Sequence, residues 1–406
     1  MYAGLAPFTL IECSAFVAAP SAGMTLAQMG ADVVRVDPIG GGLDYRRWPV
    51  SKESGASFYW SQLNKGKRSI QVDLSKPEGR ELVQALATQP GDDKGVLLTN
   101  FATARWLSQD VLAEKRADVI SAAVQGNPDG STAVDYTINA AVGYPDITGS
   151  PDMERPVNHV MPVWDFTVGL QAALGVIAAI DHRRRTGEGQ RVSVALSDMA
   201  IASVANLGQI AEVEINGAPR GRSGNDVYGT FGRDFETLDG RRVMLVAITA
   251  RQWQGLCRIT GISDKVKGLE AALDADFSDE GQRYEWRVSL FKLVEDWTRT
   301  KTLSEIGSLL DEAGLAWGPY QTVEQMLKDD KRASTENPML ERVAHPGVPE
   351  TLTPGLPIFF QGMERAPVKP APVLGAHTDQ VLAEMLGLSS GAIGKLHDGG
   401  IVAGSE

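Results

Sequence analysis

Cysteine is nearly absent from this 406-residue chain: Cys13 and Cys257 are the only two and lie far apart. Their spacing excludes a disulfide framework and a Cys-rich metal site, and a reducing, cytoplasmic setting is expected. Histidine is almost as scarce. The five, His159, His182, His345, His377 and His397, include no H-x-x-x-H pair, so no metal site is expected. Nor is a Ser-His-Asp or Cys-His arrangement legible. His182, beside Arg183, Arg184 and Arg185, reads as a helix end, and His377 as a helix start. Positive charge is in deficit, with 39 Lys and Arg against 51 Asp and Glu, which argues against non-specific nucleic-acid binding. A small anionic ligand needs only a local basic patch and stays open. The longest apolar run, around 168–180, is too short to cross a bilayer. The N-terminal "MYAGLAPFTLIECSAFVAAP" lacks a basic region and is broken by Glu12, so no signal peptide is expected.

What the chain does carry is alternation. "FTLIEC" (8–13), "ADVVRVD" (31–37), "RSIQVDL" (68–74), "GVLLTNF" (95–101), "DVISAAVQG" (118–126) and "RVSVALSD" (191–198) read as strands. Between them lie helical stretches such as "PSAGMTLAQMG" (20–30), "KPEGRELVQALAT" (76–88) and "QDVLAEKRA" (109–117). This pattern predicts an open, doubly wound (Rossmann-like) parallel α/β layer. Beyond residue 215 the texture becomes rich in Gly, Arg and Asn, then gives a hairpin turned at Asp239-Gly240 and amphipathic helices. The expected organisation is a large α/β domain over 1–224 and a smaller α+β domain over 225–330. A Pro-rich segment, 331–406, is expected to return to the large domain.

A parallel sheet invites a dinucleotide, but the turn after the first strand is "SAFVAAPSAG", without the G-x-G-x-x-G fingerprint, so a nicotinamide enzyme is not expected. "LNKGKRS" groups Lys65, Lys67 and Arg68 before a strand, and "NFATARW" adds Arg105 after another. They read either as solvated loop charges or as contacts to phosphate. Asp165, in "PVWDFTVGLQAALG", begins the most apolar helix. It reads either as an N-cap or as a carboxylate nucleophile that forms a mixed anhydride with an acyl group.

The chain resembles the family III CoA transferases, with blocks in register over nearly its whole length. They include "SAFVAAPSAGMTLAQMGADVVRVDP", "LNKGKRSIQVDLSKPEGRELV", "PVWDFTVGLQAALGVIAAIDHRRRTGEGQRVSVAL", "DGRRVMLVAITARQWQGLC", "AGLAWGPYQTVEQML" and "LGAHTDQVLAEMLGLS". The resemblance implies that Asp165 is the nucleophile. It implies CoA contacts at Phe16, Val17 and Ala18, at Asn64, Lys65, Lys67 and Arg68, and after the pair Asn100-Phe101. The family's Arg there is replaced by Ala102, with Arg105 one helical turn on as a substitute. The resemblance also implies that coenzyme A enters as part of the substrate rather than as a prosthetic group, and that two chains form an interlocked homodimer. Neither a nucleic acid nor a membrane is implied as a partner. Within the family, "IGGGLDYRRWPV" together with "SAFVAAP" looks like the mesaconyl-CoA C1–C4 CoA transferases, or 2-methylfumaryl-CoA isomerases. These move CoA between the carboxyl groups of one C5 unsaturated diacid, and Arg46 and Arg47 become candidates for holding the spare carboxylate. The alternatives are an intermolecular transferase using an acyl-CoA and a free acid, and a 2-methylacyl-CoA racemase. The racemases' His falls on Val134, and no GGGG-type run occurs between 225 and 330.

Overall fold

The computed structural model describes residues 1–101 and 103–405. Six strands alternate with helices: β1 (Thr9–Cys13), β2 (Asp32–Asp37), β3 (Arg68–Val72), β4 (Val96–Thr99), β5 (Ile120–Gln125) and β6 (Gln190–Ala195). Further along come β7 (Phe231–Glu236), β8 (Arg242–Ala247), β9 (Ala316–Tyr320), β10 (Leu340–His345), β11 (Val348–Pro354) and β12 (Val402–Ala403). The main sheet has the order β12-β3-β2-β1-β4-β5-β6, with β1 to β6 parallel and β12 antiparallel to β3. The order reverses between β1 and β4, so their carboxyl ends flank a crevice of the kind in which open α/β sheets bind ligands.

Strand alternation sorts this sheet into two chemically different faces. Ile11 and Cys13, Val34 and Val36, and Ile70 and Val72 join one apolar core with Val83, Leu86, Val381 and Leu382. Glu12 and Arg35 point to the other face and are register partners across β1 and β2. There Arg35 is wholly buried and pairs with Asp37 at 2.9 Å, Asp44 at 3.0 Å and Glu12 at 3.5 Å. Lys67 reaches the same Glu12 at 2.7 Å. The helix Ala18–Gln28 lies over this face because its inner positions are small. An added Cβ at Gly23 would stand 1.8 Å from Glu12 Oε2.

The 24-residue helix Val163–Thr186 packs against Ala18–Gln28 and against β5 and β6. Gly169 permits the approach, since a Cβ there would lie 2.7 Å from the Ala18 carbonyl oxygen. The helix is longer than the apolar run 168–180 and is long and apolar enough to cross a membrane. Its packed face makes it a core helix of the α/β layer.

The chain divides into two compact units. One comprises Met1–Val142, His159–Gly217 and Lys331–Glu406, and the other Gly143–Asn158 and Ala218–Asp330. Gly143–Asn158, kept within 1–224 by the sequence reading, groups with the second unit. There Gly149 accepts the Gly224 N–H at 3.0 Å, and Arg222 Nε donates to the Asp146 carbonyl at 2.6 Å. The second unit carries the antiparallel sheet β7-β8-β9, with the hairpin turning at Gly240, over a core of Phe231, Phe235, Leu245, Trp253 and Phe291. In the first unit the C-terminal stretch forms the hairpin β10-β11, then helices Thr378–Leu386 and Ser390–Asp398, and adds β12 to the sheet edge. His377 is the N-cap residue of the first of these helices.

Replacing Arg35 with Met would leave Glu12, Asp37 and Asp44 buried around an apolar side chain. The expected cost is about 3–5 kcal/mol, read as a fall in the urea midpoint against the wild-type chain.

Candidate active site

At the end of β1 the chain turns through Ser14–Val17 into the helix Ala18–Gln28, and Phe16 adopts φ +69°. A bulky residue holds that left-handed conformation only where its surroundings fix it. Here they do. Asn100, just after β4, accepts the Ala15 N–H at 3.0 Å and donates to the Ala15 carbonyl at 2.7 Å. Asp44 Oδ2 accepts the Phe16 N–H at 3.0 Å. The guanidinium of Arg47 stands 5.3 Å from the Phe16 ring centroid and 5.4 Å from that of Tyr59, which places it over both faces.

A cavity of about 540 Å³ opens beside this turn. Phe16, Val17, Ala18, Asn100, Arg47 and Asp165 all line it, so residues from the ends of β1 and β4 meet the first turn of the long helix. Arg47 is the one cationic residue of the lining among the described residues.

Asp165 is not the helix cap. The N-cap residue is Pro162, which puts Asp165 third in the helix Val163–Thr186. The capping acceptor comes from another element. Asp135 Oδ2 accepts the backbone N–H groups of Trp164 at 2.7 Å and of Asp165 at 3.2 Å. Its Oδ1 lies 2.7 Å from His159 Nε2. Asp135 is 2% exposed and shares the cavity lining with Asp165. Burial pushes the Asp165 carboxyl up to about 7; the Asp135 charge adds to this and the Arg47 charge opposes it.

The basic stretch is spent inside the protein. Asn64 Oδ1 accepts from Arg35 at 3.0 Å and from Lys67 at 2.9 Å. Lys67 also donates to the Pro20 carbonyl, and Lys65 to the Pro354 carbonyl at 2.8 Å. Desolvation lowers both lysines to about 8. Arg68 opens β3 and pairs with Asp32 and Glu384. None of Asn64, Lys65, Lys67 and Arg68 lines the cavity, and neither does Arg105, in a short 3-10 turn. Ala102 lies outside the described residues. Arg46 parts from its neighbour and lines a second cavity of about 390 Å³ with Trp60 and Gly347. The sequence reading missed Asp135, Tyr59 and the engagement of His159. Local pattern gives no sign of a cap supplied thirty residues upstream.

Residues 5–378 match the model of CoA-transferase family III. The chain belongs to that family. It is 49% identical over 397 residues to a 2-methylfumaryl-CoA isomerase of Chloroflexus aurantiacus, covering 98% of this chain and 97% of the relative. A succinyl-CoA:mesaconate CoA-transferase of Haloarcula hispanica is 30% identical, with 92% and 94% covered. Among solved structures, a CAIB/BAIF family protein from Brucella suis superposes with a TM-score of 0.76 at 26% identity, over 95% of this chain and all of that one. As a family III CoA transferase, the chain is an enzyme whose substrates carry CoA, and its cavity brings a carboxylate and a guanidinium together.

The acidity of Asp165 has a consequence for stability. The folded carboxyl titrates near 7, against about 4 in an unfolded chain. Between those values the unfolded state releases its proton first, so stability falls as pH rises from about 4 to about 7, and the loss is complete above that. Asp165→Asn should therefore raise the melting temperature at pH 8 and leave it nearly unchanged at pH 4, as differential scanning fluorimetry across pH would show.

Proposed function

We propose that this family III transferase is a 2-methylfumaryl-CoA isomerase, moving CoA between the C1 and C4 carboxyl groups of one mesaconyl unit. The observation that carries the reading is a cavity holding one carboxylate suited to attack, Asp165, and one lining cation, Arg47, suited to a single spare carboxylate. The 49% identity to a relative of that name supports the same choice.

In this reading Asp165 attacks the C1 thioester carbonyl, expelling CoA thiolate and forming an acyl–aspartyl anhydride. The thiolate attacks the aspartyl carbonyl of the anhydride and releases the C1 carboxylate, leaving aspartyl-CoA beside the free diacid. The C4 carboxylate then attacks the aspartyl thioester, expels thiolate and forms the second anhydride. Thiolate adds at C4, and Asp165 leaves as a carboxylate. Thioester is exchanged for thioester, so neither ATP nor a metal is required, and CoA enters only as part of the substrate. Arg47 holds whichever carboxylate is not engaged with Asp165, C4 at first and C1 once C4 attacks. Phe16, Val17, Ala18 and Asn100 lie against the CoA arm.

The working enzyme is an interlocked homodimer in the cytoplasm. The exposed apolar side chains Leu170, Leu174, Leu207 and Ile215 support the dimer. Sedimentation giving the mass of one chain would overturn it.

The rival is transfer to a second, free acid, favoured by the succinyl-CoA:mesaconate CoA-transferase that is 30% identical. Turnover of mesaconyl-C1-CoA with labelled free mesaconate separates the two. The expected product carries no label, and extensive incorporation would sink the intramolecular reading. Asp165→Ala should lose about 10⁴-fold or more in kcat. Mass analysis of wild-type enzyme with substrate should find aspartyl-CoA on the peptide containing residue 165.

A further inference from the structure

Beside the proposed nucleophile sits a buried carboxylate to which the reaction above gives no part. Asp135 is 2% exposed, lines the same cavity, and spends Oδ2 on two backbone N–H groups and Oδ1 on His159. A helix N-terminus ordinarily stabilises an acidic side chain in its own first turn. Here another acid occupies those amides.

We propose that Asp135, braced by His159, is a positioning residue: it clamps the first turn of the long helix through the N–H groups of Trp164 and Asp165, and its charge tunes how readily Asp165 ionises. The proposal rests on the reading of Asp165 as nucleophile. One oxygen fixes where the Asp165 backbone stands. The other is tied to His159, whose ring is itself held edge-on by Tyr136 at 5.7 Å between centroids. The groups that face Asp165 come from four directions. Asp135 and Tyr136 come from the helix Asp135–Ala141, Arg47 from the loop after β2, Tyr59 from the helix Phe58–Leu63, and His159, through Asp135, from the stretch before the long helix. Burial raises the Asp165 carboxyl most; on top of it the neighbouring Asp135 carboxylate raises it further and the Arg47 guanidinium opposes that, so these two placed groups trim how readily Asp165 ionises. A carboxylate that attacks a thioester must be ionised, so this balance governs the acid limb of the activity profile.

The test is the pH dependence of kcat/KM. Asp135→Asn keeps an oxygen acceptor for the two N–H groups and removes the charge. The acid limb should move down by about one pH unit, with kcat on the plateau falling less than tenfold. Asp135→Ala removes the acceptor as well, and kcat should fall about 100-fold, because a small displacement of an attacking group costs that much. His159→Phe keeps a ring against Tyr136 but removes the partner of Asp135 Oδ1, so more of that carboxylate's charge faces Asp165, and the limb should move upward. Opposite shifts from two neighbouring variants are a signature that a merely structural role does not produce. An unmoved limb in Asp135→Asn overturns the inference. If that variant does not fold, an unmoved limb in His159→Phe does so. Absence of aspartyl-CoA on the residue-165 peptide of the wild type is a different failure, that of the nucleophile reading itself.

Discussion

The site depends on a guanidinium that never meets substrate. Arg35 sits in the middle of β2, wholly buried, and gathers Asp37, Asp44, Glu12 and Asn64 around it. Such a cluster contributes little net stability, because desolvating its charges offsets most of their attraction. Its contribution is geometric. Asp44 belongs to a turn that would otherwise be free to wander; Arg35 donates to both of its carboxylate oxygens, and Oδ2 also accepts the Phe16 N–H. The Asp44 carbonyl also accepts the Arg47 N–H at 3.1 Å. One buried cation thus determines where the left-handed turn after β1 stands and where the cavity's cation begins.

Sheet order turns this local device into a site. The reversal between β1 and β4 leaves their carboxyl ends without a crossing helix between them, and Asn100 bridges the gap by clamping Ala15 from the β4 side. The long helix is pressed onto this arrangement by small residues, Gly169 against Ala18 and Ser21, so its first turn arrives at a fixed height above the turn. Rigid elements therefore carry Asp165, the proposed nucleophile, and the cluster beneath supplies the loop facing it.

Much of the fold was legible because its signals are local. Strand, helix and turn periods each span a few residues, and their alternation specifies a parallel sheet whatever the side-chain details. Asp165 and the Phe16–Ala18 turn were legible as places, since an acid opening an apolar helix and a glycine-poor strand-to-helix turn stand out in sequence. Their partners were not. The cap of the long helix is Asp135, and nothing in "PVWDF" reports that. The partners of the basic run were hidden for a related reason. Lys65, Lys67 and Arg68 read as charges awaiting an anion, but the fold supplies their partners from the sequence-distant Pro354, Glu12, Asp32 and Glu384. Arg46 and Arg47, adjacent in sequence, diverge across a turn into separate cavities, and a linear reading treats them as one pair.

Whether a family III transferase works within one substrate or between two turns on what becomes of the acid released midway. In the proposed reaction, an acid that stays in place attacks aspartyl-CoA at a high effective concentration, since its translational freedom has already been lost on binding. One that leaves must be replaced from solution, at whatever concentration the cell provides. A single guanidinium braced by two aromatic faces, opposite a carboxylate in the same cavity, favours retention: it offers the departing diacid a charge-assisted contact that survives the loss of the covalent bond. It also offers only one such contact. A diacid that exchanges its ends on that guanidinium, the freed C1 carboxylate taking the place of C4, presents each end in turn to Asp165. That motion is what intramolecular transfer requires, and it needs no second acid-binding site.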